Sequence, residues 1–170
     1  MNKDVEKILV TEKELYSITK QLGEIITKDY AGKKLLVVGV LKGSIYFLTD
    51  LTRHIDLPCH IDFIQASSYG ESTESSGNVK IIKDIEKDLS GFDVLLVEDI
   101  LDTGRTLKHI CDMLSGRNPE SIAVITLLDK PSRRVADIKA DYVGVDVPNE
   151  FVVGYGLDYN QYYRNLPYIG

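Results

Sequence analysis

An apolar run at residues 94–97 leads directly into two adjacent carboxylates, Glu98 and Asp99. A third carboxylate, Asp102, opens a short turn made of small and hydroxyl-bearing side chains. After this turn, apolar residues recur at the spacing of an amphipathic helix: Leu107, Ile110, Cys111 and Leu114. A buried strand, an acidic edge, a loop of phosphate size and a helix, in this order, are typical of α/β folds.

The acidic edge and the turn together suit a sugar phosphate. Carboxylates accept hydrogen bonds from ribose hydroxyls or bind a hard cation, and the N–H groups at a helix N-terminus bind phosphate. Gly104 permits a tight turn, while Thr103, Arg105 and Thr106 add hydroxyl donors and a positive charge. An ordinary helix N-cap at Asp102 and Thr103 is the simpler alternative, but it does not explain the two adjacent acids before it.

Two other motifs share parts of this stretch. A Walker P-loop needs two spaced glycines before a Lys-Ser/Thr pair, whereas this turn contains only Gly104. Asp-Thr-Gly also occurs in aspartic proteases, where the aspartate needs a twin from a second motif or a symmetric partner chain. The sequence contains no second Asp-Thr-Gly, and a helix follows the motif here. The protease interpretation is therefore disfavoured.

The composition predicts one domain spanning residues 1–170. Hydrophobic residues make up 44% and charged residues 27%, an ordinary globular balance. A net charge of −6 argues against a general nucleic-acid-binding surface.

Cys59 and Cys111 are too few for a disulfide framework or a zinc site, and we expect Cys111 to be a reduced core thiol. With no signal-like segment and no membrane-length apolar run, we expect a cytoplasmic protein without membrane partners.

The rest of the chain alternates between helical and strand periodicity. Thr11 and Glu14 fit a capping box before a first helix, and a second helix follows the turn around Gly43. The inward faces are expected to be Leu15, Ile18, Leu22, Ile25 and Ile26 in the first helix, and Ile45, Leu48, Leu51 and Ile55 in the second. Further strands are expected at residues 35–40, 59–66, 79–82, 122–128 and 142–147. The alternation predicts an α/β fold with a largely parallel central sheet flanked by helices.

Ligands in such sheets bind beyond the carboxyl ends of the strands. This rule predicts that Lys42, Gly43, residues 98–106 and Lys130 share one rim. Residues 69–78 interrupt the pattern with a polar segment between two strands. From the residues alone a solvated hairpin tip is favoured, and a mobile lid over a reactive intermediate is the functional alternative.

The combined pattern resembles the type I phosphoribosyltransferases. Residues 98–106 match that family's phosphoribosyl-diphosphate motif, with Arg105 where many members carry lysine. Residues 41–43 resemble the diphosphate loop of the family. The lid is expected to begin at Ser68 and Tyr69, which resemble the start of the family's flexible loop.

The remaining features resemble the purine-binding end of the hypoxanthine-guanine phosphoribosyltransferases: Lys130, residues 151–159 and Arg164. The resemblance covers nearly the whole chain. It implies the type I phosphoribosyltransferase fold, with a small hood near residues 1–10 and 148–170 and a flexible loop at about 69–78. It also implies a homodimer or homotetramer that acts on small molecules.

The implied activity is a Mg²⁺-dependent step of purine salvage. It would transfer a 5-phosphoribosyl group from its 1-diphosphate to hypoxanthine or guanine, giving IMP or GMP and diphosphate. Glu98 and Asp99 would hold the ribose hydroxyls, and together with Asp158 they would hold the metal. The 5′-phosphate would lie in the turn formed by Asp102, Thr103, Gly104, Arg105 and Thr106.

The same resemblance assigns the remaining roles. Asp102 would be the catalytic general base facing N7 of the purine. Lys42, Gly43 and Arg164 would bind the diphosphate. The purine would be bound by Lys130, which donates to the 6-oxo group, by stacking on Phe151, by the backbone of Val152 and by Asp158.

Two alternatives remain open on the sequence. Some proteins of this fold are ligand-sensing regulators that bind RNA or DNA, but they need a basic surface. The densest basic run here, residues 130–134, is short. A xanthine- or adenine-preferring relative is the closer competitor, although the features at Lys130 and residues 151–154 favour 6-oxopurines. The sequence does not rank hypoxanthine, guanine and xanthine.

Overall fold

A computed structural model describes residues 2–68 and 79–170 of the chain. The segment predicted to form a lid, residues 69–78, lies outside these residues, as does the side chain of Ser68. The described α-helices are α1 (Glu12–Asp29), α2 (Ile45–Arg53) and α3 (Arg105–Ser115). The strands are β1 (Leu35–Leu41), β2 (Cys59–Ser68), β3 (Val79–Lys83), β4 (Asp93–Leu101), β5 (Ser121–Asp129) and β6 (Tyr142–Asp146).

The strands form a single mixed sheet in the order β3-β2-β1-β4-β5-β6. Every neighbouring pair is parallel except β2 and β3, which pair antiparallel. The predicted α/β fold with a largely parallel sheet is therefore correct. Strands β1 and β4 lie at its centre, and both faces of each are covered, which explains their unbroken apolar runs.

Successive residues of β1 and β4 point to opposite faces of the sheet and enter two separate cores. Leu35 and Val37 pack with α1 and α2 on one face. Leu36 and Val38 pack with α3 and the loop before β4 on the other. Cys111 of α3 is a free, partly buried thiol beside this second core, and burial raises its pKa to about 11.

Helix α1 begins with the predicted capping box. The Thr11 hydroxyl accepts from Glu14 N at 3.3 Å, and the Glu14 carboxylate accepts from Thr11 N at 2.7 Å. Two residues predicted to face inward do not: Ile25 is 43% exposed and Ile45 is 39% exposed. Each lies at the margin of its helix's apolar face, beyond the strip that the sheet covers. Ile55 is buried, but it follows the end of α2.

Strand β4 is longer than its apolar run. Glu98 and Asp99 were expected beyond the strand, but they lie within it because pairing with β5 continues from Asp93 to Leu101. The acids are therefore held by the sheet itself, and the turn begins only at Asp102.

The two ends of the chain meet. Leu9 N donates to Ile169 O at 2.8 Å, and Val153 and Gly170 exchange backbone hydrogen bonds of 2.9 and 3.0 Å. The segment after β6 also returns to the turn that follows β1, where Gly156 packs against Gly43. Within the described ranges, no helix is both long and apolar enough to span a membrane.

Candidate active site

A pocket of about 310 Å³ lies at the carboxyl ends of β1 and β4. Elements distant in sequence meet there: the turn after β1, the end of β4, the start of α3 and the C-terminal segment. The pocket brings together most of the residues predicted to bind the donor or the metal, namely Lys42, Gly43, Glu98, Asp99, Asp102, Thr103, Gly104, Thr106, Asp158 and Arg164. Ile100, which was not predicted, also lines it.

The turn at the start of α3 lines the pocket with Thr103, Gly104 and Thr106, and Thr103 Oγ1 accepts a long hydrogen bond of 3.5 Å from Arg105 N. The N-cap of the helix is Gly104 rather than Asp102 or Thr103, with φ of 81° and no side-chain cap bond among the described residues. A Cβ atom at this position would lie 2.6 Å from Ile138 Cγ2, so the turn needs glycine for both its backbone and its packing. An uncapped helix N-terminus that opens into a pocket suits a phosphate group. Arg105 is exposed in the first turn of α3.

The acidic pair lies directly against the turn that follows β1. A Cβ atom on Gly43 would lie 1.7 Å from Asp99 Oδ2, so the glycine allows this contact. Asp99 Oδ1 accepts from Ile100 N at 2.7 Å, and Glu98 Oε1 accepts from Asp99 N at 3.2 Å. Burial, and then the charge of Asp99, raise the pKa of Glu98 well above its ordinary value.

This raised pKa predicts how stability depends on pH. The folded protein binds the Glu98 proton more tightly than the unfolded chain does. The resulting stabilisation is present below the ordinary glutamate pKa of about 4.5 and is lost as the pH rises through the raised pKa. We expect the unfolding free energy of Glu98→Gln, measured by urea denaturation across this range, to fall less with rising pH than that of the wild type. The exposed Glu24→Gln is the control, and parallel curves for Glu98→Gln and wild type would contradict the assignment.

Two arginines hold Asp102, and neither was predicted as a site residue. Arg133 Nε donates to Asp102 Oδ1 at 3.0 Å. Arg134 donates to the backbone oxygens of Asp102 at 3.1 Å and Leu101 at 3.3 Å, and it pairs with the Asp129 carboxylate. Both arginines follow β5, the neighbour of β4. The rule that placed Lys130 on this rim would also have found them.

The opposite wall of the pocket is cationic. Arg164 donates to Gly156 O at 2.7 Å and pairs with Asp158 at 3.1 Å. Lys42 Nζ donates to the side-chain oxygen of Gln161 at 3.2 Å, and Arg164 Nη2 donates to the same oxygen at 3.2 Å. Gln161 was not predicted, because an exposed glutamine gives no signal in a single sequence.

Three of the predicted purine residues, Lys130, Phe151 and Val152, are not part of this pocket's lining, whereas the fourth, Asp158, is. Lys130 is only 6% exposed, and its ammonium donates to the carbonyl oxygen of Glu150. Phe151 is 72% exposed, and its ring meets Tyr159 edge-on at 5.8 Å. Val152 is buried. Phe151 instead lines a separate cavity of about 750 Å³, together with N-terminal residues that include Asp4 and Lys7.

The donor set suits a magnesium ion that binds together with a substrate. Within the described residues, no cluster of three or more His, Cys, Asp or Glu side chains could hold a metal by itself. Magnesium typically takes one or two protein carboxylates and completes its shell with waters and phosphate oxygens. Glu98, Asp99 and Asp158 line the same pocket, and Asp158 already accepts from Gln161 N at 2.7 Å.

Comparison with known proteins identifies the family. The model of the phosphoribosyl transferase domain matches residues 4–160. The chain belongs to the phosphoribosyltransferase family. This phosphoribosyltransferase is 53% identical to the hypoxanthine-guanine phosphoribosyltransferase of Streptococcus thermophilus strain CNRZ 1066, over 100% of this chain and 94% of the relative.

Solved structures of hypoxanthine phosphoribosyltransferases are also similar to this chain. A crystal structure of a Staphylococcus aureus hypoxanthine phosphoribosyltransferase is 54% identical, with a TM-score of 0.95 over 98% of this chain and 91% of that one. A Trypanosoma cruzi hypoxanthine phosphoribosyl transferase, solved in work on how its C-terminal region affects oligomeric state and activity, is 41% identical. It gives a TM-score of 0.94 over 99% of this chain and 92% of that one. The expected resemblance to hypoxanthine-guanine phosphoribosyltransferase, and the type I fold that it implies, are confirmed.

Proposed function

We propose that this phosphoribosyltransferase acts in purine salvage and transfers a 5-phosphoribosyl group from its 1-diphosphate to hypoxanthine or guanine. One observation carries the proposal: four carboxylates, the N-terminus of α3 and two cationic side chains line a single pocket. These are the groups needed by a donor that has hydroxyls at its centre, a phosphate at one end and a diphosphate at the other. The named relatives support the same reaction.

The reaction forms a bond between a purine nitrogen and the anomeric carbon while the bond to diphosphate breaks. Positive charge develops on the sugar and negative charge on the leaving group, so the two sides of the pocket need opposite charges. Glu98 and Asp99 would hold the ribose hydroxyls on the acidic side, with the 5′-phosphate at residues 102–106. Lys42, Gly43 and Arg164 would bind the diphosphate, for which the planar guanidinium is well suited.

Asp102 would accept the proton that leaves N7 of the purine as the new bond forms. Its carboxylate lines the pocket and is 40% exposed, so it is accessible to a bound base. When bound, Mg²⁺ would neutralise the diphosphate, and Glu98, Asp99 and Asp158 would hold the metal. A Glu98 carboxyl with a raised pKa would ionise more readily once a cation binds beside it.

Lys130 would select the base. An ammonium group has three donors, and Glu150 O accepts one of them, which leaves donors for a 6-oxo group. The 6-amino group of adenine would instead meet a like donor, and such a mismatch discriminates strongly. Phe151, Val152 and Asp158 would complete the base site, with Phe151 moving over the ring from its exposed position.

Removing the Lys130 ammonium should therefore impair base recognition more than donor binding. We expect Lys130→Ala to raise the KM for hypoxanthine by roughly 10- to 100-fold and to reduce discrimination against adenine. The KM for the phosphoribosyl donor should stay within about threefold of wild type, since donor contacts are intact. Steady-state kinetics with each substrate varied will test this, with the exposed α1 variant Lys20→Ala as control. Equal losses for base and donor would contradict the assignment.

A spectrophotometric assay tests the proposed function directly. The protein would be mixed with the phosphoribosyl diphosphate and each of hypoxanthine, guanine, xanthine and adenine, with and without Mg²⁺. The proposal expects nucleotide formation with hypoxanthine and guanine, little with adenine, and none once the metal is chelated. Absence of turnover with every base would overturn it.

We also propose a homodimer or homotetramer located in the cytoplasm. Several large apolar side chains on the surface are available for such contacts, including Tyr16 at 60% exposed, Ile61 at 50% and Ile82 at 58%. The free thiols of Cys59 and Cys111 suit a reducing compartment. Sedimentation at several concentrations would determine the oligomeric state.

A further inference from the structure

Two cationic side chains of the pocket converge on one neutral oxygen. Lys42 Nζ and Arg164 Nη2 each lie 3.2 Å from Gln161 Oε1. Lys42 belongs to the turn after β1, whereas Gln161 and Arg164 belong to the C-terminal segment, more than a hundred residues away in sequence. The glutamine therefore joins two parts of the chain at the point where their charges meet.

The two cations depend on Gln161 to different degrees. Arg164 is also held by Gly156 O at 2.7 Å and by Asp158 at 3.1 Å, so its guanidinium is fixed without the glutamine. Within the described residues, the exposed Lys42 ammonium donates its hydrogen bond to the Gln161 amide oxygen. A long, exposed lysine side chain loses considerable rotamer freedom when it is held in one position. The Lys42 ammonium is also repelled by the neighbouring Arg164 guanidinium, so both effects oppose its ordering in the pocket.

The backbone aims the Gln161 side chain at this point. Gln161 has φ of 69°, and Asn160 has φ of 50°, both in the left-handed region that non-glycine residues seldom occupy. Gln161 N donates to Asp158 Oδ2 at 2.7 Å, and this hydrogen bond holds the backbone turn at residues 158–161 in place. Such conformations persist only where surrounding contacts impose them, and they cluster at functional sites.

We infer that Gln161 is a positioning residue for the diphosphate half of the pocket. This inference rests on the proposed function. In the empty pocket, the amide dipole offsets the repulsion between Lys42 and Arg164 and holds the lysine close to its binding position. When the diphosphate binds, Lys42 keeps the Gln161 oxygen as one acceptor and gives its other two N–H donors to the diphosphate. The hydrogen bond to Gln161 is therefore retained in the bound state, where exclusion of water strengthens it, and it keeps the lysine ordered on the diphosphate.

Gln161→Ala tests this inference. We expect the KM for the phosphoribosyl donor to rise roughly three- to tenfold, the loss typical of one exposed hydrogen bond to a charged group. The Kd of Mg²⁺-diphosphate, measured by calorimetry, should rise by a similar factor. Both kcat and the KM for hypoxanthine should stay near wild type, since neither the proposed base nor the purine site is altered. A change that merely destabilised the fold would not produce this split.

Gln161→Met separates the amide oxygen from packing, because methionine keeps the length of the side chain and lacks the acceptor. It should weaken diphosphate binding as much as alanine does, whereas Gln21→Ala, an exposed change on α1, should leave it unchanged. If methionine restores wild-type binding, or if alanine leaves binding unchanged or makes it tighter, the inference is wrong while the function stands. If wild-type protein neither turns over nor binds Mg²⁺-diphosphate, the proposed function and the inference fall together.

Discussion

Asp102→Asn should lower kcat by about 10²- to 10⁴-fold, the range expected when a general base is removed. Asparagine keeps the size of the side chain but has no carboxylate to accept the N7 proton. The remaining pocket contacts come from other residues, so the Kd of the nucleotide product and the KM of the donor should change only a few-fold. Single-turnover kinetics would show whether the loss lies in the chemical step, and nucleotide titration would show that the site still binds.

The ion pair with Arg133 complicates this variant, because Asp102→Asn also removes the negative charge from the 3.0 Å contact between Arg133 Nε and Asp102 Oδ1. Arg133→Gln breaks the same pair and keeps the acid. We expect it to lose much less turnover than Asp102→Asn. A comparable loss in both variants would assign the effect to the ion pair, and full turnover in Asp102→Asn would remove Asp102 from the role of base.

The sequence predicted the strand and helix framework because that information is local. The capping box at Thr11 and Glu14, the apolar run of β4 and the helical spacing after Gly104 each lie within a short window. The rim rule for parallel sheets then brought Lys42 and the acids together without any knowledge of contacts. Their common pocket follows from the order of the strands and from no single motif.

The missing parts of the site make long-range contacts: the rim rule would have placed Arg133 near the site, whereas nothing local marks Gln161. Arg133 reaches Asp102 across 31 positions, and Gln161 reaches Lys42 across 119. Neither residue type marks a site by itself, since exposed arginines and glutamines are common on any surface. The predictions that Ile25 and Ile45 face inward were wrong for a related reason. Apolar periodicity identifies a helix face, but the edge of that face depends on what packs against it.

A second large effect is expected from Gly156→Ala, on stability rather than chemistry. Gly156 has φ of 102°, and a Cβ atom there would lie 2.0 Å from Gly43 O. The clash is with backbone, so no side-chain rotation relieves it, and the left-handed backbone adds strain for any L residue. We expect the unfolding free energy to fall by about 2–4 kcal/mol, which lowers Tm by on the order of 5–15 °C.

Gly91→Ala is the matched control for this change. Gly91 has φ of 80°, and nothing lies within 4 Å of the Cβ atom that alanine would add, so it carries the backbone strain without the clash. We expect it to cost about 1–2 kcal/mol. The additional loss in Gly156→Ala then measures how tightly the C-terminal segment packs on the Lys42–Gly43 turn. Because that turn lines the proposed diphosphate site, the donor KM should rise in Gly156→Ala and not in Gly91→Ala. Equal melting temperatures for the two variants would show that the C-terminal segment moves away from the Lys42–Gly43 turn at little cost. That result would argue against a diphosphate site in which Lys42 and Arg164 are already in position before the substrate binds.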